Sequence, residues 1–148
     1  LNWAGTNSAY LAQLHRFDTL IQKLHSAFPE KVLLTFTEDA FTPSLIPGGG
    51  PHPIFLWWPW LVSLYPGHDD KVGAFIVEKR PFIEIKTNQS GGWSWIDSMS
   101  EHRVRYGFSN YRPLLRFTLG EHGERIILAD PETISAFHQS QSGAPSSQ

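Results

Sequence analysis

The residues in this chain whose types and spacing could do chemistry are Asp69-Asp70 and, fourteen positions on from Asp70, Glu84-Ile85-Lys86. On a strand, alternation puts Glu84 and Lys86 on one face and Ile83 and Ile85 on the other. Carboxylates are the oxygen donors that hard divalent cations prefer. A cation held by them can polarise a phosphate and lower the pKa of a water. A cationic group beside that water can orient it or stabilise charge. Asp70, Glu84 and Lys86 together offer those three roles on a phosphodiester. A plainer description fits the same residues. Glu-x-Lys is a common solvent-facing pair on an antiparallel strand, and Asp-Asp after Pro66-Gly67 is ordinary turn chemistry.

Positioning these groups requires a hairpin. Val72 to Glu78 and Phe82 to Thr87 read as two strands joined at Lys79-Arg80, which sets Glu84 opposite Phe75. Asp70 then falls off the end of the ladder, and a twist or bulge is needed to bring both acids to one ion. Upstream, Leu11, Leu14, Phe17, Leu20, Ile21, Leu24 and Phe28 recur at helical spacing, so a helix is expected over 7–28, ended by Pro29. Lys31 to Thr37 is rich in β-formers and reads as a strand. Four prolines and three consecutive glycines make 43–53 a loop. The Trp-rich stretch 54–65 reads as extended, with Pro59 confining it to an edge or a bend. Trp93 to Tyr106 reads as a helix. Pro113 to Leu119 and Arg125 to Ala129 read as strands around a turn at 120–123. Asp130 is a helix cap with Pro131 at the first position of a short helix reaching about His138.

The Asp…Glu-x-Lys arrangement, with this order of elements, resembles the signature of the PD-(D/E)xK nuclease superfamily. The resemblance covers 7–129 in outline and about twenty positions in actual residues. It implies an α/β, restriction-endonuclease-like fold: a mixed sheet with flanking helices and a helix-strand-strand-strand-helix-strand core. It implies Mg²⁺ or Mn²⁺ held by Asp70, Glu84 and the backbone carbonyl of Ile85, with Lys86 near the attacking water. The implied activity is metal-dependent endonucleolytic hydrolysis of DNA or RNA. The domain would run over 1–138 with an insertion at 39–66, followed by a disordered tail at 139–148. The chain also departs from the pattern: no proline precedes the aspartate, and the first helix offers only Asp18 as a further acid. Non-cleaving members are a known outcome for this fold.

Other residues suggest a partner rather than a reaction. Arg103, Arg105 and Arg112 could contact phosphates of a nucleic acid, or could line a solvated helix face. Trp57, Trp58 and Trp60 form an aromatic edge that could meet a protein partner, which gives the alternative of a non-catalytic interaction domain. No His-x-His, His-Glu-x-x-His, Walker or Gly-x-Ser-x-Gly pattern occurs.

Composition sets the bounds. The 148 residues suffice for one domain with a core, and 41% hydrophobic with 18% charged residues is globular rather than disordered. The absence of cysteine excludes disulfides, thiolate zinc sites and cysteine nucleophiles. A formal charge of −2 is unlike a non-specific nucleic-acid coater. No apolar run is long enough to span a membrane. The chain opens on Leu1 rather than methionine, so the expectation is a processed product or an excised domain.

Overall fold

The structure is a computed structural model, and it describes residues 3–36, 67–87, 101, 103–118 and 124–143. In chain order the elements are α1 (Trp3–Ala27), β1 (Leu33–Thr35), α2 (His68–Lys79), β2 (Phe82–Thr87), β3 (Arg112–Thr118), β4 (Glu124–Ala129) and α4 (Pro131–Ser142). A further helix, α3, ends at 105, and its described residues are 101 and 103–105, between β2 and β3. The four strands form one mixed sheet in the order β1-β2-β4-β3. β1 runs parallel to β2, whereas β4 is antiparallel to both β2 and β3. The architecture is therefore α/β, with helices on both faces of a small mixed sheet.

Alternation along the strands sorts the core into two layers. Leu33, Phe82, Ile127 and Ala129 face α1, whose Phe17, Ile21 and Leu24 are buried against them. Ile134 and Phe137 of α4 pack at the margin of the same layer. Leu34, Ile83, Ile85, Ile126 and Leu128 face the other way, towards Val72 and Ile76 of α2 and towards Tyr106, Phe108 and Tyr111. On this side Phe36 stacks between Tyr106 and Phe108, with ring centroids 5.9 and 5.8 Å away.

The largest correction to the sequence reading is at 72–78. This segment is helical, so the hairpin joining it to Phe82–Thr87 does not exist. Its apolar residues satisfy two periods at once. Val72 and Ile76 lie one helical turn apart and are buried, while Val77 is 66% exposed. A short run of this kind is ambiguous in isolation. The topology decides it, because parallel β1 and β2 need a crossover connection, and α2 lies in that crossover. Asp69 and Asp70 sit in the first turn of α2, where the helix dipole favours acids. Arg80 closes the helix in a left-handed conformation (φ 47°) and donates its N–H to the Ile76 carbonyl. Among the described residues the order is α1-β1-α2-β2-α3-β3-β4-α4, with the helix α2 where the first strand of the expected hairpin would stand.

Other elements match closely. β2 has the expected bounds, α1 and β4 differ by a few residues, and Asp130 caps α4 with Pro131 following. The helix does not stop at His138. It continues to Ser142, so 139–142 is not part of a disordered tail. Ser140 and Ser142 donate their hydroxyls to the carbonyls of Phe137 and Gln139 within the last turns. The expected insertion at 39–66 lies outside the described residues.

Candidate functional site

Glu84 is on β2, as expected, but its surroundings are not those of a solvent-facing strand. The residue is fully buried, at 0% exposure, on the α1 face of the sheet. Its Oε1 accepts a hydrogen bond from Arg125 Nη1 at 2.7 Å, and its Oε2 accepts one from the Thr35 hydroxyl at 3.1 Å. Arg125 is itself buried, at 2% exposure. Three strands position this cluster. Thr35 is the register partner of Glu84 across the parallel pair, and Arg125 enters diagonally from β4, where it stands opposite Lys86. Two opposite charges have been taken out of water here, and charge-assisted hydrogen bonds offset that cost.

Asp70 is elsewhere. It is exposed in the first turn of α2, the helix that packs on the Ile83 and Ile85 face of the sheet. Glu84 points to the opposite face. The sheet therefore separates the two carboxylates that the resemblance would place on one ion. Ile85 is buried, its side chain lying in the α2 layer. The backbone of Lys86 pairs with Arg125, and its side chain is outside the described residues. Among the described residues no three His, Asp or Glu side chains gather as a cation site would require. The donors present do not fit the expected Mg²⁺ or Mn²⁺ site: one acid is neutralised by a guanidinium and the other lies beyond the sheet.

The neighbouring Asp69 is engaged instead. Its carboxylate accepts from the Tyr106 hydroxyl at 2.6 Å and from Arg105 Nη1 at 3.1 Å. This ties the start of α2 to the end of α3. Gly73 lies against this junction, where a Cβ would meet Tyr106 Cα at 3.7 Å, an ordinary van der Waals contact. Arg105, expected at a phosphate, is thereby paired with an acid of its own chain.

A second charged cluster, not foreseen from the sequence beyond its helix cap, lies where β4 meets α4. Asp130 accepts from the Thr133 backbone N–H at 3.0 Å and from the Thr133 hydroxyl at 2.6 Å. Arg80 Nη2 bridges Asp130 and Glu132, at 2.5 and 2.8 Å, and Lys31 Nζ lies 3.7 Å from the Asp130 carboxylate. Burial alone would push the Asp130 carboxyl up. The two Thr133 bonds and the Arg80 guanidinium outweigh it and hold the pKa at about 2. Burial lowers the Lys31 ammonium, with Asp130 opposing. Positive and negative groups are matched within the cluster, which joins the α2 terminus, the lead into β1 and the α4 cap.

Arg103 and Arg112 converge on one backbone carbonyl. Arg103 Nη2 donates to Tyr111 O at 2.5 Å, and Arg112 Nη1 donates to the same oxygen at 3.1 Å and to Ser109 O at 3.2 Å. The aromatic edge formed by Trp57, Trp58 and Trp60 lies outside the described residues. Among the described residues, no helix is long and apolar enough to cross a membrane.

Arg125 is the site residue that sequence reasoning missed. The sequence reading gives it no role beyond the start of the strand that runs to Ala129. The available signal was its place at the start of Arg125-Ile-Ile-Leu-Ala129, a strand otherwise buried on both faces, where a charge must find a partner. Comparison of the chain with family models, with curated proteins and with solved structures gave no match.

Proposed function

We propose that this chain is a non-catalytic α/β domain in which Glu84-x-Lys86 belongs to a structural strand rather than a hydrolytic centre. The observation that carries this reading is the Glu84 carboxylate, fully buried, with one oxygen on Arg125 and the other on Thr35. A guanidinium supplies the positive charge that a hydrolytic site of this type would take from a metal ion. The separation of Asp70 from Glu84 by the sheet supports the same reading. On this account the chain relates to PD-(D/E)xK nucleases, if through descent, as a degenerate member. The reading does not require the restriction-endonuclease-like core, in which a strand would stand at the place of α2.

The test is cleavage of labelled single- and double-stranded DNA and RNA with Mg²⁺ or Mn²⁺, against EDTA, with Lys86→Ala alongside. The expected result is no metal-dependent cleavage by either protein. Metal-dependent cleavage that disappears in Lys86→Ala would restore the nuclease.

A further inference from the structure

Arg103 of α3 and Arg112 at the start of β3 are balanced differently from their neighbours. Arg80 bridges Asp130 and Glu132, Arg105 meets Asp69, Arg116 meets Glu124, and Arg125 meets Glu84. Arg103 and Arg112 have no carboxylate among the described residues. They share the Tyr111 carbonyl instead, so their donating nitrogens stand within about 6 Å of each other, a range in which like charges oppose one another. The Arg103 Nε is buried and makes no hydrogen bond. Arg103 is half-buried and Arg112 is exposed, so the pair is open to solvent on one side. Burial, and then the charge of Arg112, lower the pKa of Arg103. One carbonyl oxygen carries only a partial charge and cannot neutralise two guanidinium ions.

We propose that Arg103 and Arg112 form a binding site for a single dianionic phosphate group, a phosphomonoester. Two guanidinium groups match a dianion in charge, and their planar forks match phosphate oxygens in geometry. The site is compact. Arg105 and Arg116, which would extend it into a basic track, are already paired with acids, and the chain is net negative at −2. A polymeric phosphodiester backbone needs such a track. The expectation of nucleic-acid contact at Arg103, Arg105 and Arg112 is therefore narrowed to one phosphate on two of them. Its source is either a small phosphorylated molecule or a phosphorylated side chain of another protein. The inference stands apart from the non-catalytic reading, because the cleavage assay leaves it untouched.

The experiment titrates the intact chain with inorganic phosphate, with a phosphoserine heptapeptide, with its unphosphorylated twin and with a single-stranded oligonucleotide. Sodium chloride at matched ionic strength is the control, and melting temperature and heteronuclear NMR shifts are read. Phosphate should bind with a dissociation constant on the order of 1 mM. Arg112→Gln should weaken that binding about tenfold or more by removing a charged fork. Arg103→Gln should do the same. If its buried position prevents folding, the exposed Arg112 variant decides alone. Phosphopeptide binding tighter than free phosphate assigns the source to a protein, and phosphate binding without it assigns a small molecule. Both results uphold the site. Shifts no larger than those in chloride, or equal in Arg112→Gln, would overturn it. So would Arg112-dependent binding of the oligonucleotide without binding of phosphate.

Discussion

Replacing Arg125 by methionine separates a structural ion pair from a working acid. The substitution keeps most of the side chain's length and removes its charge, so the Glu84 carboxylate, at 0% exposure, loses the guanidinium that meets its Oε1 at 2.7 Å. Breaking a buried pair from one side costs about 3–5 kcal/mol, because the remaining charge is stranded in a poorly polarisable interior. For a chain of this size, with a urea dependence of about 2 kcal/mol per M, the unfolding midpoint should fall by roughly 2 M. The double variant Glu84→Leu/Arg125→Met removes both charges from a layer otherwise built of Phe17, Ile21, Leu24, Phe82 and Ile127. It should recover to within about 1 kcal/mol of the parent or exceed it. Urea titrations followed by circular dichroism of the parent, the single variants Arg125→Met and Glu84→Leu, and the double variant give four midpoints and hence the coupling energy. A loss under about 1 kcal/mol in Arg125→Met would refute the reasoning, since a fully buried carboxylate cannot lose its guanidinium so cheaply. A double variant as unstable as the single one would refute it equally, by removing the coupling between the two residues.

Two further outcomes follow from the same interactions. The Asp130 carboxyl sits at about 2 when folded, against an ordinary value of 3.8, and its side chain is 5% exposed. A depressed folded pKa contributes stability that is fully present above about pH 4 and is lost as pH falls towards 2. The contribution is about 2 kcal/mol. Asp130→Asn should therefore be less stable at pH 7 and show a flatter loss between pH 4 and 2 in urea midpoints; parallel pH profiles would contradict this. Gly107→Ala should cost about 1–2 kcal/mol, because Gly107 has φ 76° and a Cβ there would meet Val77 Cγ2 at 3.2 Å. An unchanged melting temperature would show that the α3–β3 turn relaxes freely.

The sequence carried much of the secondary structure and little of the site. Phe82–Thr87 alternates over a buried strand with strong β-formers, and Asp130-Pro131 carries its own capping chemistry, so both can be read locally. The segment 72–78 could not be. Val72 and Ile76 fit a strand face and a helix face alike, and only the parallel pairing of β1 with β2, a long-range fact, selects the helix. That one substitution of a helix for a strand moved Asp70 to the other side of the sheet. Glu84 was found correctly as a strand residue, yet its meaning rests on Arg125, forty-one positions away on β4. The apolar strand that follows Arg125 signals that this charge needs a partner, but nothing local to either residue says which one. The arginines at 103 and 112 were legible as candidate phosphate contacts, but only the folded chain brings both to the Tyr111 carbonyl with no carboxylate on either among the described residues.

The central claim, that Glu84 is neutralised internally and holds no metal, is tested most directly by Mn²⁺ titration followed by electron paramagnetic resonance of the free ion. Wild-type protein and Glu84→Gln should leave the same free-ion signal at every point of the titration. A saturable site approaching one Mn²⁺ per chain in the wild type, and absent in Glu84→Gln, would contradict the account and return this strand to metal chemistry.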